Sequence, residues 1–229
     1  MTHFLLVPGA WLDGAVFDPV CDRLKQLGHT ASAVTLPGLT DESDDDVDLG
    51  VWIDHVVHMI ERTSSAGRVV LAGHSFSGLV VGPAAARAES LLGGLVFIDA
   101  NLPEPGQSFA DSWSPSGRAW LIKQLEDSDG RWPPDLDPSE TDLDDEAYAF
   151  VRSHAHSMPG KPLFDPVPQD AIPKHTATTY LWCTQPRPEL PAVVQQAASD
   201  HGWNIVPIDS THWPMAGDSQ PLATALSNV

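Results

Sequence analysis

The chain has 229 residues, of which 42 % are hydrophobic, and it carries a formal net charge of −19 at pH 7. This length fits one large α/β domain with an insertion, or two small domains. The negative charge argues against nucleic acids and anionic membrane surfaces as partners, because both would repel the protein. Acidic residues are concentrated at 41–48 and 126–146, where we expect solvated loops.

The N-terminal residues run directly into a strand-like segment and lack the charged and long apolar regions of an export signal. No apolar run approaches the ~20 residues of a membrane span. The two cysteines, Cys21 and Cys183, lie far apart in apolar segments, which favours buried free thiols over a disulfide or a metal site. These features predict a soluble, cytoplasmic protein with no membrane partner.

Strand-like and helix-like segments alternate along the first hundred residues. Asp18 followed by Pro19 is typical of a helix start, and Gly28 is typical of a helix stop. Short apolar runs and helical spacing of apolar residues define the remaining segments. The predicted strands cover 4–7, 30–36, 68–72 and 95–98, and the predicted helices cover 18–27, 49–60 and 79–88.

This alternation stops after the fourth strand and resumes near the C-terminus. Residues 102–175 contain many prolines, three tryptophans and two predicted helices, at 116–125 and 144–154, which indicates an inserted cap without a sheet of its own. Strands are then predicted at 178–183 and 204–208, and helices at 190–201 and 219–226. We therefore predict an α/β fold with a mostly parallel sheet of about six strands and helices on both faces. Its core covers 1–101 and 176–229, interrupted by the cap at 102–175.

A serine with small residues two positions away on each side follows the third predicted strand. The segment Gly73-His74-Ser75-Phe76-Ser77-Gly78 lies between an apolar strand and an alanine-rich helix. A nucleophilic serine on a sharp strand-to-helix turn requires such small neighbours, and the N–H of the next residue then points at the bound carbonyl. Ser77 stands where this pattern normally has glycine, and Gly78 follows it. Ser75 is therefore the candidate nucleophile; the alternative is an ordinary strand–turn–helix that happens to contain a serine.

A serine hydroxyl needs a base, and histidine is suited to that role near neutral pH. Ligands of open parallel sheets bind beyond the carboxyl ends of the strands. His212 is the histidine that follows a late strand and precedes a terminal helix, so it is the candidate base. The other histidines are interpreted as surface or cap residues, with His55 and His58 facing solvent. His154 and His156 could line a pocket, but no third ligand accompanies them, so we predict no metal site.

The sequence resembles the α/β-hydrolase fold and, within it, the small plant-type esterase and hydroxynitrile lyase family with its bacterial relatives. The resemblance rests on the motifs at 4–11, 72–78, 96–103, 180–184 and 212–215, in the family's order. It implies Ser75 as nucleophile, His212 as base, and an oxyanion hole formed by the backbone N–H groups of Ala10 and Phe76. The family's lyases use a threonine and a lysine where this chain has Gly9 and Trp213, which argues against cyanohydrin cleavage.

The chain departs from the family at the acid that orients the histidine. Relatives usually carry an aspartate a few residues after the strand at 180–183, and here Pro186 stands in that place. Asp99, at the end of the neighbouring strand, is the favoured substitute. Glu189, Asp209 or no acid at all are the alternatives, and Asp99 could instead be a structural carboxylate that binds local backbone N–H groups.

The resulting hypothesis is a serine hydrolase that cleaves a carboxylic ester, lactone or thioester through an acyl-Ser75 intermediate, without cofactor or metal. Its partner would be a small substrate with apolar or aromatic surface, since the cap is rich in tryptophan, and we expect Trp11 and Trp213 to contact it. Two other readings stay open: a cyclase or lyase that tailors a natural product on the same scaffold, and a ligand-binding protein that has lost catalysis. The sequence does not specify an oligomeric state.

Overall fold

A computed structural model describes residues 2–40, 46–64 and 67–229. The described chain forms eight strands: β1 (His3–Val7), β2 (Thr30–Ala33), β3 (Val69–His74), β4 (Leu92–Ile98), β5 (Arg131–Trp132), β6 (Met158–Pro159), β7 (Thr178–Cys183) and β8 (Asn204–Ile208). It also forms seven α-helices: α1 (Asp18–Gln26), α2 (Leu49–Ser64), α3 (Gly78–Arg87), α4 (Pro115–Glu126), α5 (Asp145–Ser153), α6 (Ala192–His201) and α7 (Gln220–Ser227).

The main sheet has six parallel strands in the order β2-β1-β3-β4-β7-β8. All six residues of β3 are buried, and its neighbours β1 and β4 are almost as enclosed. Continuous apolar runs of this kind form central strands because helices cover both faces of a parallel sheet. The predicted fold class, a parallel sheet of six strands flanked by helices, is confirmed.

Two hydrophobic cores lie on opposite faces of the sheet. Side chains alternate along β1, so that Leu5 and Val7 join the core under α2, α3 and α6, whereas Phe4 and Leu6 join the core under α1 and α7. The cap extends the first core through Trp132, and α5 packs on the second. The sheet is therefore held rigidly from both sides, and its strand ends are fixed positions for functional side chains.

The segment between β4 and β7 contains α4, α5 and a small antiparallel ladder of β5 with β6. The prediction that this segment has no sheet of its own is wrong, because β5 and β6 pair. Each of these strands has only two residues, which is too short to show a periodic pattern in the sequence. The second predicted strand ends at Ala33, three residues early, although Val34 and Leu36 beyond it remain buried. The other predicted elements of the core match the observed ones to within a few residues at each end.

Both cysteines are buried free thiols, as predicted. Burial raises the pKa of Cys21 to about 11, and the neighbouring Asp18 adds to this shift. Residues 41–45 of the first acidic run lie outside the described residues. Within the described ranges, no helix has both the length and the apolar character needed to cross a bilayer.

Candidate active site

Ser75 lies at the sharp turn between β3 and α3, in a backbone conformation that L-residues seldom adopt. Its φ is 52°, in the left-handed region, where non-glycine residues carry strain. Gly78 lets the turn pass against the loop after β4, since a Cβ there would come within 1.9 Å of the Asn101 carbonyl oxygen. Ser77, in the place of the motif's glycine, is buried, and its hydroxyl donates to the Pro8 carbonyl. Ser77 thereby ties the turn to the loop after β1.

The side chains of Ser75, His212 and Asp99 form one chain of hydrogen bonds. His212 Nδ1 lies 2.5 Å from Asp99 Oδ2, and His212 Nε2 lies 3.0 Å from Ser75 Oγ. Because a carboxylate only accepts hydrogen bonds, the proton of the neutral imidazole is on Nδ1. Nε2 is then free to accept the proton of the Ser75 hydroxyl.

Asp99 reaches His212 because its strand is the direct neighbour of the serine strand. In the register of β3 with β4, His74 pairs with Ile98, so Ser75 and Asp99 leave the sheet side by side. Asp99 also has a left-handed backbone, with φ 42°. Burial opposes ionisation of its carboxyl group, but the hydrogen bond from His212 and the charge of that ring outweigh it and hold the pKa of Asp99 below its usual value.

The two alternative carboxylates lie elsewhere. Asp209 is exposed and accepts a hydrogen bond from Gln185 Nε2 at 2.5 Å, and Glu189 lies on the wall of a cavity without contacting His212. The Asp99 carboxylate has no backbone N–H partner among the described residues, contrary to the structural-carboxylate alternative. Its second contact is the exposed guanidinium of Arg187, with Nη2 3.7 Å from Oδ2.

The backbone amides of Ala10 and Phe76 flank the serine from two loops. Neither amide donates a hydrogen bond to another described residue of the protein. The loop of Ala10 comes this close because its neighbour is glycine: a Cβ on Gly9 would lie 2.9 Å from both Ser75 Cβ and His74 Nδ1. The site therefore offers two unpaired backbone donors beside Ser75.

His74 is a site residue that the sequence reasoning missed. Treating it as one of the surface or cap histidines was wrong, because it is fully buried next to Ser75. Its Nε2 lies 2.7 Å from the backbone carbonyl oxygen of His212, and its ring centroid lies 4.8 Å from that of His212. Its position at the end of a strand whose residues are buried on both faces is the signal that could have identified it.

A cavity of about 650 Å³ opens on Ser75 and His212. Its walls combine the core with the cap segment, and the cap contributes Phe109 and Trp113. These two rings contact each other at 5.7 Å between centroids, and Phe109 also packs on Phe76 at 5.1 Å. Of the three cap tryptophans, only Trp113 lines this cavity; Trp132 is buried behind it and Trp120 is 38 % exposed.

Trp11 and Trp213, predicted to contact the substrate, lie outside the walls of that cavity. Both line a smaller cavity of about 330 Å³, which shares His212 and Arg187 with the larger one. Trp213 is 9 % exposed and packs edge-on against the His212 ring at 5.4 Å between centroids. The two tryptophans therefore border the far side of the histidine.

The remaining candidate histidines form a separate group. His156 Nε2 lies 2.8 Å and His154 Nδ1 lies 3.2 Å from the Asp13 carboxylate, where the loop after β1 meets the cap. Among the described residues, no cluster of three or more His, Cys, Asp or Glu side chains has a geometry suited to a metal ion. On α2, His58 is exposed as predicted, but His55 is half-buried, and burial lowers the pKa of its ring.

Known proteins resemble this chain in sequence and in fold. A carbendazim hydrolyzing esterase of Nocardioides sp. (strain SG-4G) is 33 % identical over 111 residues, which is 47 % of this chain and 46 % of the relative, so the chain spans about half of that protein's length. An extracellular α/β-hydrolase from a Paenibacillus species superposes with a TM-score of 0.85 at 21 % identity, over 100 % of this chain and 98 % of that one. Polyneuridine aldehyde esterase superposes with a TM-score of 0.72 at 17 % identity, over 100 % and 98 %.

The predicted resemblance to plant-type esterases of the α/β-hydrolase fold is thus confirmed at the level of fold. The family model for the alpha/beta hydrolase family matches residues 4–225, nearly the whole chain. This match includes the serine turn, the strand that carries Asp99 and the loop of His212. The chain belongs to the alpha/beta hydrolase family.

Proposed function

We propose that this protein is a serine hydrolase that cleaves a carboxylic ester, lactone or thioester through an acyl-Ser75 intermediate. The observation that carries the proposal is the unbroken hydrogen-bond chain from Asp99 through His212 to Ser75, at 2.5 and 3.0 Å, which opens on a cavity of about 650 Å³. The esterase activity of the Nocardioides relative supports the same reaction class.

In the first step, His212 Nε2 takes the hydroxyl proton as Ser75 Oγ attacks the carbonyl carbon. The ring then carries a positive charge, which the ionised Asp99 carboxylate stabilises through Nδ1. His212 returns the proton to the leaving oxygen or sulfur, which departs as an alcohol or thiol or, for a lactone, becomes a hydroxyl group that stays attached to the acyl chain. Water repeats the sequence on the acyl-enzyme and releases the acid.

Negative charge develops on the carbonyl oxygen during both steps. The unpaired N–H groups of Ala10 and Phe76 would bind that oxygen, and such preorganised donors are each worth about 10²–10³ in rate in well-studied hydrolases. The strained backbone of Ser75 presents its hydroxyl to His212, with Oγ 3.0 Å from Nε2. No cofactor or metal takes part in this mechanism.

The substrate is a small molecule with apolar or aromatic surface. Phe109 and Trp113 give the larger cavity an aromatic wall, and Leu79 and Val194 add aliphatic surface. The acidic residues Glu104, Asp111 and Glu189 line this cavity together with the basic Arg187, and the chain carries a charge of −19, so neutral substrates are favoured over anionic ones.

The test uses a chromogenic aryl ester and a serine-directed fluorophosphonate. We expect a burst of released phenol equal to the enzyme concentration, and one phosphonyl group attached to Ser75 by peptide mass spectrometry. Labelling without turnover would support a binding protein that has lost catalysis. A rearranged product that contains no oxygen from ¹⁸O-labelled water would support a cyclase or lyase instead.

A further inference from the structure

His74 lies at the centre of three loops that build the proposed site. It precedes Ser75, its Nε2 lies 2.7 Å from the His212 carbonyl oxygen, and its Nδ1 faces Gly9 of the loop after β1. The ring is fully buried and also lies 5.9 Å from the Trp213 ring, between centroids. The mechanism above assigns no role to this residue.

The hydrogen-bond partners fix the protonation of the ring. A carbonyl oxygen can only accept, so Nε2 must carry the proton and donate. Nδ1 is then a bare acceptor, and it has no hydrogen-bond partner among the described residues. The 2.9 Å approach of a Cβ built on Gly9 shows that a larger side chain would collide with this nitrogen.

The surroundings also keep the ring neutral. Burial, with a further contribution from the nearby His212, lowers the pKa of His74 to about 3. Asp99 is the acidic group that acts on it and opposes this shift without reversing it. A neutral His74 does not compete for the proton that His212 takes from Ser75, and it adds no positive charge beside the imidazolium.

We propose that His74 is a positioning residue whose Nε2–H holds the backbone carbonyl of His212, and with it the imidazole, in line with Ser75 Oγ. This inference rests on the proposed function. His212 follows β8 in a loop without regular structure, and the hydrogen bonds of its side chain go to Asp99 and Ser75. The bond from His74 restrains the same residue at its backbone. One buried side chain thus couples the loop of the base to the strand that carries the nucleophile.

The test compares two amide substitutions that differ in reach. In His74→Gln the amide nitrogen occupies about the place of Nε2 and can donate to the His212 carbonyl, whereas in His74→Asn it occupies the place of Nδ1 and falls short. Because a displacement of about 1 Å costs on the order of 10² in rate, we expect His74→Asn to lower kcat about 100-fold with little change in KM. His74→Gln should stay within about 5-fold of the wild type, as retained positioning requires.

Thermal unfolding shows whether each variant is folded before its kinetics are measured. A folded His74→Asn with wild-type kcat would overturn the proposal. So would a folded His74→Gln as impaired as His74→Asn, because the donor would then be irrelevant.

A second measurement needs no variant and no turnover. Nitrogen-15 NMR of the wild-type imidazoles should show His74 protonated at Nε2, bare at Nδ1 and without titration between pH 5 and 9. A ring protonated at Nδ1, or one that titrates in that range, would contradict the proposed bond even if neither variant folds. Failure of the proposed function is recognised separately, by a Ser75→Ala variant that still hydrolyses esters while the His74 spectrum is as expected.

Discussion

Two regions of the molecule place histidine beside aspartate, and they differ in what else they contain. At the carboxyl edge of the sheet, His212 binds Asp99 with one nitrogen and Ser75 with the other. At the junction between the loop after β1 and the cap, the carboxylate of Asp13 contacts the rings of both His154 and His156. No described hydroxyl or thiol group hydrogen-bonds to either histidine of the junction.

The comparison shows that a histidine–aspartate pair is not by itself a catalytic unit. At the sheet edge, the second nitrogen meets a strained serine at the mouth of a cavity. At the junction, the carboxylate of Asp13 also accepts the Ala15 N–H at 2.9 Å and caps a helical turn at Gly14–Phe17. The same histidine–carboxylate pairing lies beside the proposed nucleophile in one place and holds two segments together in the other.

The largest expected effect is that of removing the nucleophile. In Ser75→Ala, His212 and Asp99 remain but have no hydroxyl group to activate. The comparison therefore predicts that they support no more catalysis than the histidines and Asp13 of the junction. In serine hydrolases this loss costs on the order of 10⁶ in turnover. Steady-state ester hydrolysis by purified, folded protein measures it, and more than a tenth of wild-type activity would exclude Ser75 as the nucleophile.

Replacing histidines by alanine in each region tests the comparison directly. His212→Ala should be about as damaging as Ser75→Ala, since the serine proton then has no acceptor. His154→Ala and His156→Ala serve as matched controls in the other pair and should leave kcat within a few-fold of the wild type. If either junction variant lost activity as completely as His212→Ala, the distinction between the regions would fail.

Asp99→Asn has the next largest effect. An amide in this place cannot stabilise the imidazolium and can hold the wrong tautomer; in a serine protease this change costs about 10⁴ in turnover. We expect a loss of at least 10²-fold in kcat with little change in KM. Glu189→Gln and Asp209→Asn are the matched controls, expected within a few-fold, and near-normal turnover by Asp99→Asn would discard Asp99 as the acid.

Asp13→Asn should act on stability and leave turnover nearly unchanged. Asparagine is as good a helix cap as aspartate but is a weaker acceptor for the two histidines. The free energy of unfolding should fall by about 1 kcal/mol, as for the loss of a partly exposed polar contact. Urea denaturation measures this change, and a large drop in kcat without loss of stability would assign Asp13 to the site.

The smallest expected effect concerns acid stability. The pKa of Asp99 is lower in the folded protein than the usual value, so its ionised form contributes stability above about pH 3.9, the unfolded value. That contribution is lost as the pH falls through the lowered pKa of the folded protein. Asp99→Asn should therefore show a shallower acid-side fall in the free energy of unfolding than the wild type. Identical slopes from urea titrations between pH 5 and 2.5 would contradict this expectation.

Much of the fold was predictable because its signals are local. A buried strand such as β3 appears in the sequence as a short apolar run, and the turn at Ser75 appears as small residues between a strand and a helix. The position of Asp99 followed from strand order, since an acid at the end of a neighbouring strand can replace one that is absent at Pro186. The strands and the turn needed only periodicity and the rule that parallel strands end at one edge, whereas the choice of Asp99 also needed the family resemblance, which implies an acid after β7.

The features that sequence reasoning missed depend on contacts between distant segments. His74 binds a carbonyl 138 positions away, so its place at the end of a buried strand indicates that it is buried but does not reveal its partner. Trp11 and Trp213 line a second cavity beside His212, whose other wall comes from the cap, and their contact with substrate stays a prediction. Side chains at 102–175 follow no repeating pattern, and only their packing on the core decides which of them meets a ligand.

The place of Asp99 has a consequence for how this protein could diversify. The segment after β7, where the family resemblance implies an acid, holds no member of the proposed Ser75–His212–Asp99 triad, yet Gln185, Pro186, Arg187 and Glu189 line the two cavities beside His212. Selection in the laboratory can therefore vary this segment to change substrate scope without altering the three proposed catalytic residues. Libraries confined to 185–191 should retain a high fraction of phosphonate-reactive clones, which makes this short loop the natural starting point for directed evolution.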